Sequence, residues 1–127
     1  MTATAPALRE LPAEAIARTT CDGCGRPIVW ALTVAGPNGR GGKLMPLDPL
    51  EDLAGNVAVT QPAARGQLYA RSLFKDERVD RPGEYCGMPH FATCTRRGHH
   101  PTPPWALVEL LDHARQRASG RRRGGRR

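Results

Sequence analysis

The sequence predicts a small β-rich module, an antiparallel hairpin or short sheet, closed by a C-terminal α-helix and flanked by disordered termini. Three observations carry that prediction. Short apolar stretches with a two-residue alternation recur between residues 28 and 74, glycine and proline punctuate the gaps between them, and a helical period begins only after Pro103 and Pro104.

Residues 1–20 are rich in Ala, Pro and Thr and are expected to form a flexible N-terminal segment. Within it, Pro12 ahead of AEAIAR can open one or two helical turns, because proline suits the first helical position. IVWALTV at 28–34 reads as a strand with Ile28, Trp30, Leu32 and Val34 on one face. AGPNGRGG is turn chemistry, and KLM after it returns as the second strand of a hairpin. MPLDPLEDLAG reads as a loop with an acidic rim. GNVAVT at 55–60 and QLYARSLF at 67–74 are two further strand signals. KDERVDRPGE at 75–84 is charged and unpatterned, an exposed connection. Residues 95–103 read as a linker.

The helix is expected over 104–119. Leu107, Leu110, Leu111, Ala114 and Ala118 fall within about 100° of one face, with Glu109, Asp112, His113, Gln116 and Arg117 elsewhere. Thr102 supplies an N-cap ahead of the two prolines. Gly120 is expected to end the helix, leaving 120–127 as a disordered basic tail.

Composition bounds how such a module is held together. Leu, Ile, Val and Phe fill 22 of 127 positions, below the roughly one-fifth that marks a chain poor in core formers. A core this thin leaves little margin over the entropy of ordering the chain, so a cross-link would help. CDGCG at 21–25 offers one: two cysteines two apart on a glycine turn, half of a tetrahedral metal site. His90 is the first choice for the other half, since it pairs at ligand spacing with both Cys86 and Cys94. Spacing does not choose between those two cysteines. Phe91, expected to anchor the segment on the sheet, and the loosely patterned stretch before Cys86 favour Cys94. The working set is Cys21, Cys24, His90 and Cys94, with Cys86 as the alternative ligand. One structural Zn2+ is the expected cofactor. Such an ion supplies about 10–16 kcal/mol of apparent binding free energy, against about 5–15 kcal/mol for the whole stability of a typical domain. Metal is therefore expected to decide whether residues 21–94 fold.

CDGCGRPIVWALTVAGPNGRGGKLMPLDP, then GNVAV, then HFATC resembles a group of small, mostly uncharacterised zinc-ribbon-like proteins of actinobacteria and their phages. The shared pattern is a C-x-x-C knuckle, I-x-W-A-x-T, a glycine turn, K-x-M-P-x-D-P, G-N-V and a closing H-F-A-T-C, and it spans residues 21–94. The resemblance implies a zinc-binding β-module with Cys21, Cys24, His90 and Cys94 as ligands and Cys86 outside the set. It implies no established activity. The longer turn, Cys86 and the arginine-ended helix depart from the pattern.

Other chemistry is thinly supported. GPNGRGGKL fails as a phosphate loop, because Pro37 stands where the first glycine is needed and Leu44 follows Lys43. Asp48 reads as a turn former, Trp30 as a core anchor, and His99, His100 and His113 as solvated. A catalytic zinc needs an open fourth position, and four protein ligands close it, so no enzyme activity and no small-molecule substrate are expected.

Net charge is +7, and its whole excess lies at one end. Arg115, Arg117, Arg121, Arg122, Arg123, Arg126 and Arg127 occur after residue 114 with no acid among them, while the other 12 basic side chains match the 12 acidic ones. Arginine with interspersed glycine attracts phosphate backbones without reading sequence. Non-enzymatic nucleic-acid binding is the expected function. The alternative is a protein-interaction adapter, such as one for transcription machinery, docking through Leu107, Leu110, Leu111 and Ala114. No apolar run nears the length of a membrane span, and the first residues lack the pattern of a secretory signal. The expectation is a cytoplasmic protein with no membrane partner.

Overall fold

The computed structural model describes residues 8–34, 42–62, 66–74, 76–79 and 83–124, with residues 114, 115 and 117–124 described by their helical backbone alone. Six strands form one curled sheet: β1 (Arg18–Thr20), β2 (Pro27–Thr33), β3 (Leu44–Leu47), β4 (Val57–Thr60), β5 (Tyr69–Ser72) and β6 (Tyr85–Gly87). Single 3-10 turns occupy Ala15–Ala17 and His90–Ala92, and helix α1 runs Trp105–Gly124.

β2 organises the sheet. Val29 faces Arg18 on β1 and Leu47 on β3, so those strands take opposite edges. Further along, Leu32 faces Leu44 on β3 and Tyr69 on β5. β1 and β5 thus share one edge of β2 in succession. The β2–β3 pairing is the expected antiparallel hairpin. The β2–β5 pairing is parallel, which the expected antiparallel hairpin or short sheet did not include. β4 then pairs antiparallel with both β5 and β6.

β2 was expected to bury one face. It buries both. Val29 and Ala31 join Leu11, Leu47, Val57, Val59, Leu68 and Ala70 in one cluster. Ile28 and Trp30, pointing the other way, join Ala17, Cys21, Cys94 and Leu107 in a second. Strand side chains alternate between faces, so a strand covered on both sides reads as a continuous apolar run, as IVWA does. Trp30 is the anchor the sequence suggested: it is fully buried, and its indole N–H donates to Thr19 Oγ1 at 3.0 Å.

Residues 8–20 are not the loose leader that their composition suggests. Leu11 is fully buried, and its amide donates to the Pro49 carbonyl at 2.8 Å. Arg9 meets Glu51 at 2.6 Å and lies 4.2 Å from the centre of the Tyr85 ring. β1 adds a strand to the sheet. At the other end the helix does not stop at Gly120: its backbone continues through Gly124. Glycine in a helix costs only about 1 kcal/mol relative to alanine, and the arginines that follow are good helix formers. Residues 1–7 and 125–127, expected to be disordered, lie outside the described residues, as does the 35–41 turn. No helix among the described residues is long and apolar enough to cross a membrane.

Candidate metal centre

Two backbone turns, 66 residues apart, present the site. In the first, the Gly25 amide donates to the Cys21 carbonyl at 2.7 Å and the Cys21 amide to the Arg26 carbonyl at 2.8 Å. Gly25 closes this turn at φ 77°, a left-handed conformation that glycine adopts without steric cost. The Gly23 amide also points at Cys21 Sγ, 3.4 Å away. In the second turn, the Thr93 and Cys94 amides both donate to the His90 carbonyl, at 3.0 and 2.8 Å. β2 begins directly after the first turn, and β6 leads through Met88 and Pro89 into the second.

The ligand atoms of Cys21, Cys24, His90 and Cys94 all lie within 4.8 Å of one another, a group that could hold a metal ion. Cys21 Sγ is 3.9 Å from Cys94 Sγ, and Cys24 Sγ is 3.3 Å from His90 Nε2. All the cysteines are free thiols. A disulfide requires about 2.05 Å between sulfurs, so Cys21 and Cys94 are close but not bridged. Cys21, His90 and Cys94 are buried, and Cys24 is half-buried.

Neighbours set the direction of each donor. His90 Nδ1–H donates to Asp48 Oδ1 at 2.8 Å, since a carboxylate accepts only, and this leaves Nε2 as the ring atom that faces Cys24. Thr93 Oγ1 donates to the second oxygen of Asp48 at 2.7 Å. Asp48 is delivered by β3, and its amide is tied to the Met88 carbonyl at 3.0 Å. Burial works against protonation of His90, but hydrogen bonding to Asp48, then to Cys21 and Cys24, outweighs it and raises the ring above its ordinary value. The Cys24 thiol is lowered to about 6, chiefly by the Arg26 backbone amide. Burial pushes the Cys94 thiol up. A cation at this point would favour thiolate at each cysteine.

Compared with known protein families, curated proteins and solved structures, this chain matches none. The centre therefore rests on its own geometry.

Cys86, the alternative ligand, is not part of the group. It sits on β6, its thiol 3.5 Å from the Gly55 carbonyl, and burial raises its pKa. Strand pairing with β4 fixes it there, with Cys86 opposite Ala58. Phe91 does not anchor the ligand segment on the sheet. It is 45% exposed and meets the His100 ring, with centroids 5.3 Å apart. The 3-10 turn at His90–Ala92 explains this: it directs His90 inward, so the adjacent side chain faces out.

Other sequence-derived candidates divide. Leu107, proposed for a partner-binding face, is 1% exposed and packs in the second core cluster with Cys21, Trp30 and Cys94. It is the residue that seats α1 on its own module and is not free for a partner. Leu110 is exposed and Leu111 half-buried, while Ala114 falls among the side chains outside the description. The same holds for Arg115, Arg117, Arg121, Arg122, Arg123, Arg126 and Arg127. His113 is exposed, 3.8 Å from Glu109.

Sequence reading missed the roles of Asp48, Thr93 and His99. His99 Nε2 lies 2.5 Å from Asp22 Oδ1, and its ring covers Gly23 so closely that a Cβ there would collide with it. The supposed linker is thereby fastened over the first knuckle. D-P after an M-P strand was the only signal for Asp48, and its partner stands 42 residues away.

Proposed function

We propose that this chain is a non-enzymatic protein built around one structural zinc ion, and that it binds nucleic acid through its arginine-rich C-terminal segment. The donor set is the observation that carries the first half. Three sulfurs and one imidazole nitrogen suit zinc. A tetrahedral ion about 2.3 Å from sulfur and about 2.0 Å from nitrogen separates neighbouring sulfurs by about 3.8 Å and a sulfur from a nitrogen by about 3.5 Å. The Cys21–Cys94 and Cys24–His90 separations, 3.9 and 3.3 Å, lie close to those edges. Four protein donors leave no coordination position for substrate, which supports a structural role. The motif order shared with the zinc-ribbon-like proteins supports the same reading, and membership of that group is part of the proposal.

Seven arginines without an acid support the second half. Each phosphate neutralised releases counterions, so binding should weaken steeply with salt. The test is a salt titration of DNA and RNA binding by the full chain and by a chain in which Arg121, Arg122, Arg123, Arg126 and Arg127 are all changed to Gln. Steep salt dependence, flattened in the variant, is the expected result. Equal slopes would remove the tail from the interface.

The adapter reading keeps one specific support. Trp105 is 76% and Leu110 51% exposed on α1, two apolar side chains that the module does not cover. In that reading, capture of a protein partner survives neutralisation of the tail and is lost in Leu110→Asp.

A further inference from the structure

The knuckle end carries exposed chemistry that neither the metal centre nor the tail uses. Phe91 projects from the second turn with its ring edge-on to His100, the two planes inclined at 61°. Arg96 and Arg97 stand exposed at the tip of the next turn, which the His99 amide closes by donating to the Arg96 carbonyl at 3.2 Å. Arg26, exposed on the first knuckle, donates to the Thr93 carbonyl. Its guanidinium is therefore held beside the turn that carries Phe91.

These groups belong to one surface. The His99–Asp22 pair ties the 95–100 turn to the 21–26 turn, and the Phe91–His100 contact ties it to the ligand turn. Charge there is one-sided. Residues 21–26 and 91–100 contain three arginines and a single acid, Asp22, already engaged by His99. Asp48, which touches the same ligand turn, is turned inward onto His90 and Thr93.

We propose that Phe91, His100, Arg26, Arg96 and Arg97 form a contact surface for single-stranded nucleic acid, with an unpaired base stacked on Phe91 and phosphates held by the arginines. The inference deepens the nucleic-acid reading and rests on it, but moves a specific part of the interface from the tail to the metal-held turns. An exposed aromatic ring flanked by guanidinium groups suits an unstacked base and its backbone. A duplex keeps its bases stacked and offers this surface phosphates alone. Preference for single strands is therefore the signature of this surface, whereas a bare arginine tail gives affinity without it.

The experiment measures fluorescence anisotropy of labelled oligo(dT) of about 15 nucleotides and of a duplex of equal length, with the zinc-loaded full chain. Four variants join the wild type: Phe91→Ala, Phe91→Tyr, the double variant Arg96→Gln/Arg97→Gln, and the tail-neutralised chain described above. Native mass spectrometry establishes that each retains its metal. Phe91→Ala should lose about ten-fold in affinity for the single strand and little for the duplex, and Phe91→Tyr should restore it. The double variant should lower the logarithmic salt slope by about 1.4, the share of two single-strand phosphates. Tail neutralisation should weaken both ligands and leave the single-strand preference in place. If the wild type binds both ligands alike and Phe91→Ala changes nothing, the surface is overturned while the tail reading stands. A tail-neutralised chain with no single-strand preference overturns it too. Should the wild type bind neither oligonucleotide, both readings fall together.

Discussion

Asp48 sits behind the cysteine–histidine cluster rather than in it, and its effect runs through His90. Its two oxygens accept from the imidazole and from Thr93, so one carboxylate fixes both the tautomer of a ligand and the turn that carries it. Partners of this kind typically contribute about 10–100-fold to metal affinity. Asp48→Asn should therefore weaken zinc binding by about that factor, measured by competition with a chromophoric chelator. Cys94→Ser should abolish stoichiometric binding, whereas Cys86→Ser should leave it unchanged; native mass spectrometry reads both. Retention of zinc by Cys94→Ser would show that the fourth donor lies elsewhere. The cluster of Cys21, Cys24, His90 and Cys94 was legible in the sequence because each pair lies within one turn, and C-x-x-C or H-x-x-x-C keeps its spacing whatever the rest of the chain does. Asp48 was not, since only the pairing of β3 with β2 and the bridge from Leu47 to Pro89 bring it to His90. Phe91 was misjudged for a related reason: an aromatic between ligands has no face assigned until the turn type is known.

At the scale of elements, alternation and turn residues marked β2, β4 and β5, but MPL at 45–47, which the prolines assign to a loop, is strand: pairing with Val29 and Trp30 on β2 carries β3 through Pro46 to Leu47. β1 and β6 have three residues each and owe their extended form to neighbours across the sheet, so local pattern could not announce them. The N-terminal residues show the same dependence on context. Arg9 clasps Glu51 with two nitrogens, at 2.6 and 3.1 Å, and the Cys86 amide donates to the same carboxylate at 2.9 Å. The Arg9 hydrogen bond, with help from the Cys86 amide and against burial, holds the Glu51 carboxyl below its ordinary range. A depressed carboxyl stabilises the fold above its unfolded pKa, about 4.3, and loses that contribution as pH falls through the lower folded value. In urea melts of the metal-loaded protein, the wild type should lose stability over this window, and Glu51→Gln should be less stable at neutral pH and lose less below about pH 4. Parallel profiles for the two proteins would remove Glu51 from the acid transition. For α1 the helical period was legible but its use was not. Leu107 alone among the three leucines is fully buried, so Leu107→Ala should cost about 2–5 kcal/mol and Leu110→Ala less than about 0.5 kcal/mol in the same melts. Similar losses at both positions would mean that more of the helix is seated than its first turn.

For the molecule as a whole, the question is whether the proposed ion would hold up one corner or the entire sheet. The sequence suggested a thin core on one face of β2 and hence complete dependence on the ion. Burial on both faces divides the problem. One cluster contains no ligand, whereas the other includes Cys21 and Cys94 beside Trp30 and Leu107. Taken separately, the first would survive removal of the proposed ion and the second would not. They are not separate, because β2 supplies Ile28 and Trp30 to one and Val29 and Ala31 to the other. Loss of the knuckle frees the start of β2, releases the β1 pairing at Pro27–Val29, and unseats Leu107. The ligand-free cluster then loses Val29, which packs it from the same three residues. One cooperative transition should follow. With increasing chelator, the near-ultraviolet dichroism of Trp30, isolated in a Trp105→Phe background, and the exchange protection of the Val57 and Val59 amides in β4 should disappear together. Protection persisting in β4 after the Trp30 signal has gone would mean that the ion governs only the knuckle side, and that the eight-residue cluster around Leu11 and Leu47 is a core sufficient in itself.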